Sequence, residues 1–193
     1  MRVLVLLLLL PIAGVGLLPS ASAQDGRIGD NLQWGPPVDG IQISLSSSNP
    51  KLSELQMAVR NVGDHDVTLI LGMMMANGKF QLPDRINIEF KDGLGKTRVF
   101  KFGDLKHAFV AGRLDDYVVP LRSGSMYTLT VTLDQFWCQE TKEFTIPLTP
   151  GKNSLTAHFE GKGAQRVNEE MSAIPLMNFW LSKVDSNTLI LER

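Results

Sequence analysis

From Ile41 onward, apolar and polar residues alternate along the chain with a period of two. This pattern predicts β-strands, because successive side chains of a strand point to opposite faces of its sheet. The strongest run is Tyr127–Leu133, in which three threonines separate four apolar residues. Threonine suits an exposed strand face, since it is β-branched and its hydroxyl binds water. Shorter runs lie at 41–46, 55–60, 67–71, 85–91, 99–102, 117–121, 144–148, 155–159, 179–184 and 188–191.

Residues that favour turns separate these runs. Asn61–Asp64, Asp92–Gly95 and Asp185–Asn187 each lie between two predicted strands. We therefore expect each of them to close a β-hairpin. Pro120 cannot donate a backbone hydrogen bond, so the strand at 117–121 is expected at a sheet edge.

About nine or ten short strands joined by turns predict an antiparallel β-sandwich. The chain shows no alternation of strands with helices, which makes a parallel sheet improbable. A short helix is expected only around Gln165–Met171. No repeat or low-complexity linker divides residues 33–193, so these residues are expected to form a single domain.

The N-terminus has the pattern of a secretory signal peptide. Met1-Arg2 precedes an apolar run, and Ala21-Ser22-Ala23 matches the small-x-small cleavage pattern. Cleavage after Ala23 would leave 193 − 23 = 170 residues, of which 24–32 form a predicted flexible tail. An uncleaved anchor is the alternative. We expect an exported protein, periplasmic or extracellular, with no membrane span after cleavage.

Charge and cysteine usage narrow the classes of function. The formal net charge is −1, and basic and acidic residues are interspersed. A nucleic-acid interface needs a concentrated cationic face, and a polybasic membrane patch needs the same, so neither is expected. Cys138 is the only cysteine, so no internal disulfide is possible.

Several segments resemble a broad group of exported bacterial proteins with an immunoglobulin-like sandwich. The matching segments are Trp34–Gln42, Arg60–Asp64, Leu121–Leu129, and Trp180 with Ser186–Leu189. The last follows the pattern W-x-G-x-x-x-S-N, except that Ser182 replaces the glycine. This resemblance implies an immunoglobulin-like arrangement of the predicted strands. It implies no activity, because sandwiches carry many unrelated functions.

A second resemblance is to the BsuPI-type proteinase inhibitors. Those proteins pair a hairpin containing an asparagine turn with a later Asp-x-x-Gly-Lys hairpin. Asn61–Leu71 and Asp92–Lys96 fit this outline. The resemblance implies an exposed, rigid loop that occupies a protease cleft.

The residues that could carry catalysis are isolated along the chain. Ser125 follows Gly124 but stands in a turn that leads into a strand, not in a nucleophile elbow. Cys138 has no histidine or cation close in sequence and is interpreted as a buried structural thiol, with an intermolecular disulfide as the alternative. Asp115-Asp116 and Glu169-Glu170 are sequence neighbours, which does not make an acid/base pair.

Three consecutive methionines form one candidate metal site, for copper. Met73, Met74 and Met75 form a thioether cluster, and thioethers can hold copper in an oxidising compartment. His65 is the nearest candidate to complete such a site. The alternative is that the methionines fill an irregular gap in the core. Asp64-His65-Asp66 could hold a cation, although a solvated hairpin tip is the simpler interpretation.

The leading functional hypothesis is a non-enzymatic binding protein of the cell envelope, with no cofactor. Its partner would be a protein, a glycan or a surface. Recognition would use a sheet face or one of three loops, Gly72–Leu82, Gly103–Asp116 and Gly161–Pro175. Proteinase inhibition and copper handling are the alternatives.

Overall fold

A computed structural model describes residues 31–49, 54–75, 78–103, 112–163 and 178–193. The predicted signal peptide, residues 24–30 of the predicted tail and the predicted helix at Gln165–Met171 lie outside these ranges. Contacts group Leu32–Arg193 into one compact unit. No helix in the described ranges is long and apolar enough to cross a membrane.

The described residues form eleven strands and one short 3₁₀ turn at Leu133–Gln135. The strands are β1 Ile41–Asn49, β2 Glu54–Asn61, β3 Val67–Met75, β4 Phe80–Leu82, β5 Ile86–Lys91, β6 Thr97–Phe102, β7 Leu114–Leu121, β8 Met126–Thr132, β9 Phe136–Cys138, β10 Lys152–Glu160 and β11 Lys183–Glu192. Alternation places their side chains as predicted: in β5, Ile86, Ile88 and Phe90 are buried. The hairpin of β5 and β6 across Asp92–Gly95 is confirmed.

The strands form two sheets. The larger has the order β8-β2-β1-β11-β10-β5-β6-β9, and the smaller has the order β4-β3-β7. Neighbouring strands are antiparallel, except that β1 and β11 run parallel and pair at Ile43 and Ser186. The larger sheet is therefore mixed, which corrects the expectation of a purely antiparallel sandwich. Pro120 lies in β7, an edge strand as predicted.

One apolar core joins the two sheets. It contains Leu69, Tyr117 and Val119 from the small sheet, packed in the same cluster as Ile43 and Phe90 of the large sheet. The core rings contact at defined angles: Phe90 meets Phe100 edge-on at 6.0 Å, and Phe102 meets Phe136 edge-on at 5.5 Å. The all-β sandwich fold is thus confirmed, with eleven strands in the described ranges rather than nine or ten.

The predicted hairpin at Asn61–Asp64 is wrong, because β2 and β3 belong to different sheets. The connection is an arch that carries the chain across the sandwich. Asn61 explains this outcome: it is 1% exposed and its amide is fully used. Its Nδ2 donates to the carbonyls of His65 at 2.7 Å and Leu121 at 3.1 Å, and its Oδ1 accepts from the Gly63 amide at 2.9 Å.

The predicted closing hairpin at Asp185–Asn187 is also wrong, because β11 is one continuous strand through these residues. Two polar side chains replace missing backbone bonds. The Ser186 hydroxyl accepts from the Ala157 amide at 2.9 Å, where the register with β10 shifts. The Asn187 amide accepts from Leu45 N at 2.7 Å and donates to Leu45 O at 3.0 Å. The side chains that suggested a turn therefore sustain a bulged strand.

The predicted strand at 144–148 is not formed. Only Phe144 makes an isolated bridge, to Trp137 of β9, and Thr145 has a positive φ of 80° that interrupts an extended chain. The segment instead hydrogen-bonds to neighbouring turns, with Thr145 N donating to Phe136 O and Ile146 N to Leu133 O. β9 occupies the sheet edge where sequence reasoning expected no strand.

Candidate functional site

A charged cleft of about 250 Å³ opens where the small sheet meets the β5, β6 and β10 part of the large sheet. Its lining combines cationic, acidic and amide side chains with one methionine. The lining residues are Gly72, Met73, Asp84, Arg85, Asn87, Lys101, Asp116, Glu160 and Lys162.

The cleft begins at a bulge in β3. The register between β3 and β7 shifts between Ile70 and Gly72, and five consecutive residues, 68–72, are buried. At Gly72 an added Cβ would lie 2.1 Å from the Leu82 carbonyl oxygen and 2.4 Å from Asp84 Oδ1. Only glycine allows this close approach, which holds Asp84 against β3.

Acidic and cationic side chains of the cleft come from several different elements. Asp84 follows β4 and Asp116 lies on β7, so both acids belong to the small-sheet side. Arg85 directly precedes β5, Lys101 lies in β6, and Lys162 follows β10, whose last residue is the acid Glu160. The Arg85 backbone amide donates to the Leu71 carbonyl at 3.2 Å, and this bond joins the two sides at the base of β5.

Two of the charged side chains that line the cleft have partners outside it. Glu160 lies 3.5 Å from Lys183, in an ion pair between two exposed side chains. Lys101 Nζ donates to Gln139 Oε1 at 3.3 Å. The half-buried Arg85 differs from both, because its Nη1 is buried and has no hydrogen-bond partner among the described residues.

The cleft receives residues from all three segments that were predicted as recognition loops. Gly72 and Met73 come from the first, Asp116 from the second and Lys162 from the third. Two of these segments are more regular than predicted. β3 and β4 occupy much of Gly72–Leu82, and β7 begins at Leu114. Residues 104–111 and 164–177 lie outside the described ranges.

The copper candidates are not brought together. Met73, Met74 and Met75 are consecutive in β3, so they alternate between its faces. Met74 packs against the core, whereas Met73 lines the cleft. His65 precedes the opposite end of β3, and eight steps of roughly 3.3 Å place Val67 about 26 Å from Met75. Copper handling thus stays a prediction, and this geometry lends it no support.

His65 instead borders a second cavity of about 310 Å³ beside the β2–β3 arch. His65 and Asp64 are 79% and 88% exposed and lie 3.5 Å apart, as expected of solvated side chains. Asp66 accepts from the Ser123 amide at 2.9 Å, which is a turn contact. No group of three or more metal-ligating His, Cys, Asp or Glu residues occurs in the described part of the chain.

Cys138 is fully buried in the core, which confirms the structural interpretation of this thiol. Burial raises the pKa of the Cys138 thiol, but hydrogen bonds from the side chain and backbone of Thr141 and from the backbone of Glu140 outweigh burial and lower the pKa overall. Ser125 lies in the β7–β8 turn, where its amide donates to the Arg122 carbonyl.

The two acidic pairs have different positions. Asp115 lies 2.7 Å from Arg113, and its neighbour Asp116 lines the cleft. Glu169-Glu170 lies outside the described ranges. Asp115 and Asp116 therefore do not share one site.

Sequence reasoning missed the cationic residues of the cleft. Arg85, Lys101 and Lys162 lie in or next to three different strands, and successive members of the set are 16 and 61 positions apart in the chain. No spacing rule connects them, since their approach depends on the β10-β5-β6 strand order. The one local signal is that Asp84-Arg85 interrupts the chain between two apolar strands.

No protein-family model, no curated protein and no solved structure matches this chain.

Proposed function

We propose that this chain is an exported, non-enzymatic binding protein whose ligand occupies the charged cleft. One observation carries the proposal: the three segments singled out as recognition loops each contribute residues to the same cavity. Connections and strand ends that converge on a rigid sandwich are where such folds place recognition. The signal-peptide pattern at residues 1–23 supports export.

The lining of the cleft suits binding through directed polar contacts. Charged and amide groups on both sides can fix the orientation of a ligand. Asn87 stands on β5, a strand in the interior of the large sheet, and strand positions hold side chains more precisely than loops do. The cleft therefore has a rigid side, formed by β5, β6 and β10.

The test compares a variant with a filled cleft with a matched surface variant. Asn87→Trp places an indole in the cleft, whereas Ser154→Trp places one elsewhere on the outward face of the same sheet. Each protein, expressed with its own N-terminal segment, is mixed with fractionated cell-envelope extract and its Tm is measured.

A ligand at 100 times its Kd stabilises by about 2.7 kcal/mol, or roughly 5–10 °C for a domain of this size. We expect this shift in the wild type and in Ser154→Trp, and its loss in Asn87→Trp. The proposal fails if no fraction shifts the wild type or if Asn87→Trp responds as the wild type does.

Proteinase inhibition is the second candidate, and the β5–β6 hairpin favours it. Leu94 is 92% exposed at the hairpin tip. The tip is fixed by Asp92, whose Oδ1 accepts from the amides of Leu94 at 3.0 Å and Lys96 at 2.9 Å. An exposed apolar side chain on a pinned loop is what the resemblance to BsuPI-type inhibitors implies.

Proteinase inhibition ranks below ligand binding in the cleft because of the backbone conformation at the tip of the β5–β6 hairpin. The Leu94 amide is engaged within the turn and Gly95 has a positive φ of 86°, so the tip is not the extended strand that a protease cleft pairs with. Inhibition would then rest on the Leu94 side chain alone. Residual activity of a protease panel tests it, with Leu94→Ala weakening inhibition by about 30-fold and Val62→Ala, another exposed apolar site, as the control. A panel that keeps full activity removes this candidate.

A further inference from the structure

The Arg85 guanidinium has a buried hydrogen-bond donor without an acceptor. Arg85 lines the cleft, and its Nη1 is buried and has no partner among the described residues. A buried polar group without a partner is costly, and more so when it belongs to a charged side chain. An anionic oxygen supplied by a ligand would remove this cost, because guanidinium and carboxylate form paired hydrogen bonds.

The other charges of the cleft restrict which anion fits. Lys101 and Lys162 add positive charge on the same side as Arg85. Asp84 and Asp116 also line the cleft and would repel a multiply charged anion. The same two acids favour a ligand that carries a cationic or hydrogen-bond-donating group near its own anionic group.

The volume of the cleft restricts the size of the ligand. A cavity of about 250 Å³ lies just below the usual range for drug-sized ligands, roughly 300–1,000 Å³. It accommodates one or two amino-acid residues rather than a long polymer segment.

We propose that the cleft binds the carboxylate end of an amino-acid or short peptide ligand, with Arg85 as the anchor of the carboxylate and the Asp84–Asp116 side facing the amino group. This inference rests on the proposed function and specifies the chemistry of its ligand.

Four probes separate the contributions of the two charges. Glycylglycine carries both charges, N-acetylglycylglycine only the carboxylate, glycylglycine amide only the ammonium group, and inorganic phosphate is the competing anion. Binding to the full-length protein is followed by NMR titration at constant ionic strength. We expect glycylglycine to bind tightest, the acetylated peptide less tightly, and the amide and phosphate more weakly than both.

Two variants of Arg85 and one control test the anchor. Arg85→Met keeps the aliphatic stem and removes the charge, and we expect at least about tenfold weaker binding of glycylglycine. Arg85→Lys keeps the charge without the planar fork and should fall between Arg85→Met and wild type. Arg122→Met removes an exposed arginine in the β7–β8 turn, outside the cleft, and should bind as wild type does.

Stability gives a second, independent measurement. Because Arg85 Nη1 makes no hydrogen bond, Arg85→Met should be at least as stable as wild type while binding is lost. A merely structural Arg85 would show the reverse, with lower stability and unchanged affinity for glycylglycine.

The outcomes distinguish this inference from the proposed function. Phosphate binding tighter than either carboxylate probe, no binding of any probe, or unchanged affinity in Arg85→Met overturns the carboxylate anchor. If Asn87→Trp still abolishes binding of an envelope ligand, the cleft remains the binding site and only its assigned chemistry is wrong. If Asn87→Trp binds that ligand normally while Arg85→Met loses glycylglycine, the proposed function fails and the small-ligand site stands.

Discussion

Replacing Asn61 with alanine should destabilise the protein by an amount that its contacts allow us to work out. The side chain is 1% exposed and makes three hydrogen bonds, two as a donor to backbone carbonyls and one as an acceptor from Gly63. These contacts connect the β2–β3 arch to the end of β7. Alanine fills the same backbone position and leaves all three groups without their partner.

The bond to the Leu121 carbonyl is buried. Its loss leaves that oxygen without a donor, because water does not reach it, and costs about 1–3 kcal/mol. The bonds to His65 and Gly63 are partly buried, and water can replace them in part, at a cost of about 0.5–1 kcal/mol each. The sum is about 2–5 kcal/mol, equivalent to a fall in Tm of roughly 5–15 °C for a domain of this size.

The assay is equilibrium unfolding in urea, followed by circular dichroism, with the free energy of unfolding extrapolated to water. Asn178→Ala is the matched control, because Asn178 is exposed and donates one side-chain bond, to the Asp66 carbonyl at 3.0 Å. We expect the control to lose less than about 1 kcal/mol. A loss of less than about 1 kcal/mol in Asn61→Ala itself would refute the argument that this amide holds the arch.

Three further predictions follow from other contacts. Burial, together with the hydrogen bond to the Tyr127 hydroxyl, raises the pKa of Tyr117 above 10.0, so the unfolded chain loses this proton at a lower pH than the folded protein does. The free energy of unfolding should therefore fall by up to about 1.4 kcal/mol per pH unit above pH 10. Urea unfolding of Tyr117→Phe at several pH values should lose that slope. Ser186→Ala orphans the buried Ala157 amide at the β10 bulge and should cost about 1–3 kcal/mol by the same urea assay, whereas an unchanged midpoint would contradict this role. Gly72→Ala places a Cβ 2.1 Å from the Leu82 carbonyl oxygen, so we expect the free energy of unfolding measured by calorimetry to fall by more than about 3 kcal/mol. A variant as stable as wild type would show that β3 and β4 can move apart at no cost.

Alternation was sufficient to predict most strands, because burial on one face of a sheet requires a period of two whichever strands are neighbours. Ile86, Ile88 and Phe90 follow the rule, and so do Phe100 and Phe102 of the paired strand. The class of fold followed from these local patterns. The order of strands in the sheets did not, since it depends on pairings between distant residues.

The two failed hairpin predictions share one cause, which is that a polar residue can end a strand or repair one. Asn61 looked like a hairpin residue, but its amide reaches Leu121, 60 positions away in the chain. Asn187 looked like a turn residue, but it bonds to Leu45, 142 positions away. Nothing local distinguishes these roles from ordinary turns.

The cleft could be predicted only in part. The segments that would contribute were identified, because irregular stretches between strands often carry recognition. The decisive residue, Arg85, was not, because its importance lies in a missing hydrogen bond that exists only in the folded chain.

The position of β11 has a consequence for how this protein is made. β11 lies between β1 and β10, so it divides the large sheet into β8-β2-β1 on one side and β10-β5-β6-β9 on the other. Until residues 183–192 have been synthesised, each half ends in an unpaired strand that is open to association with another chain. Ribosome-bound nascent chains should therefore need protection by chaperones until the final strand emerges and joins the two halves.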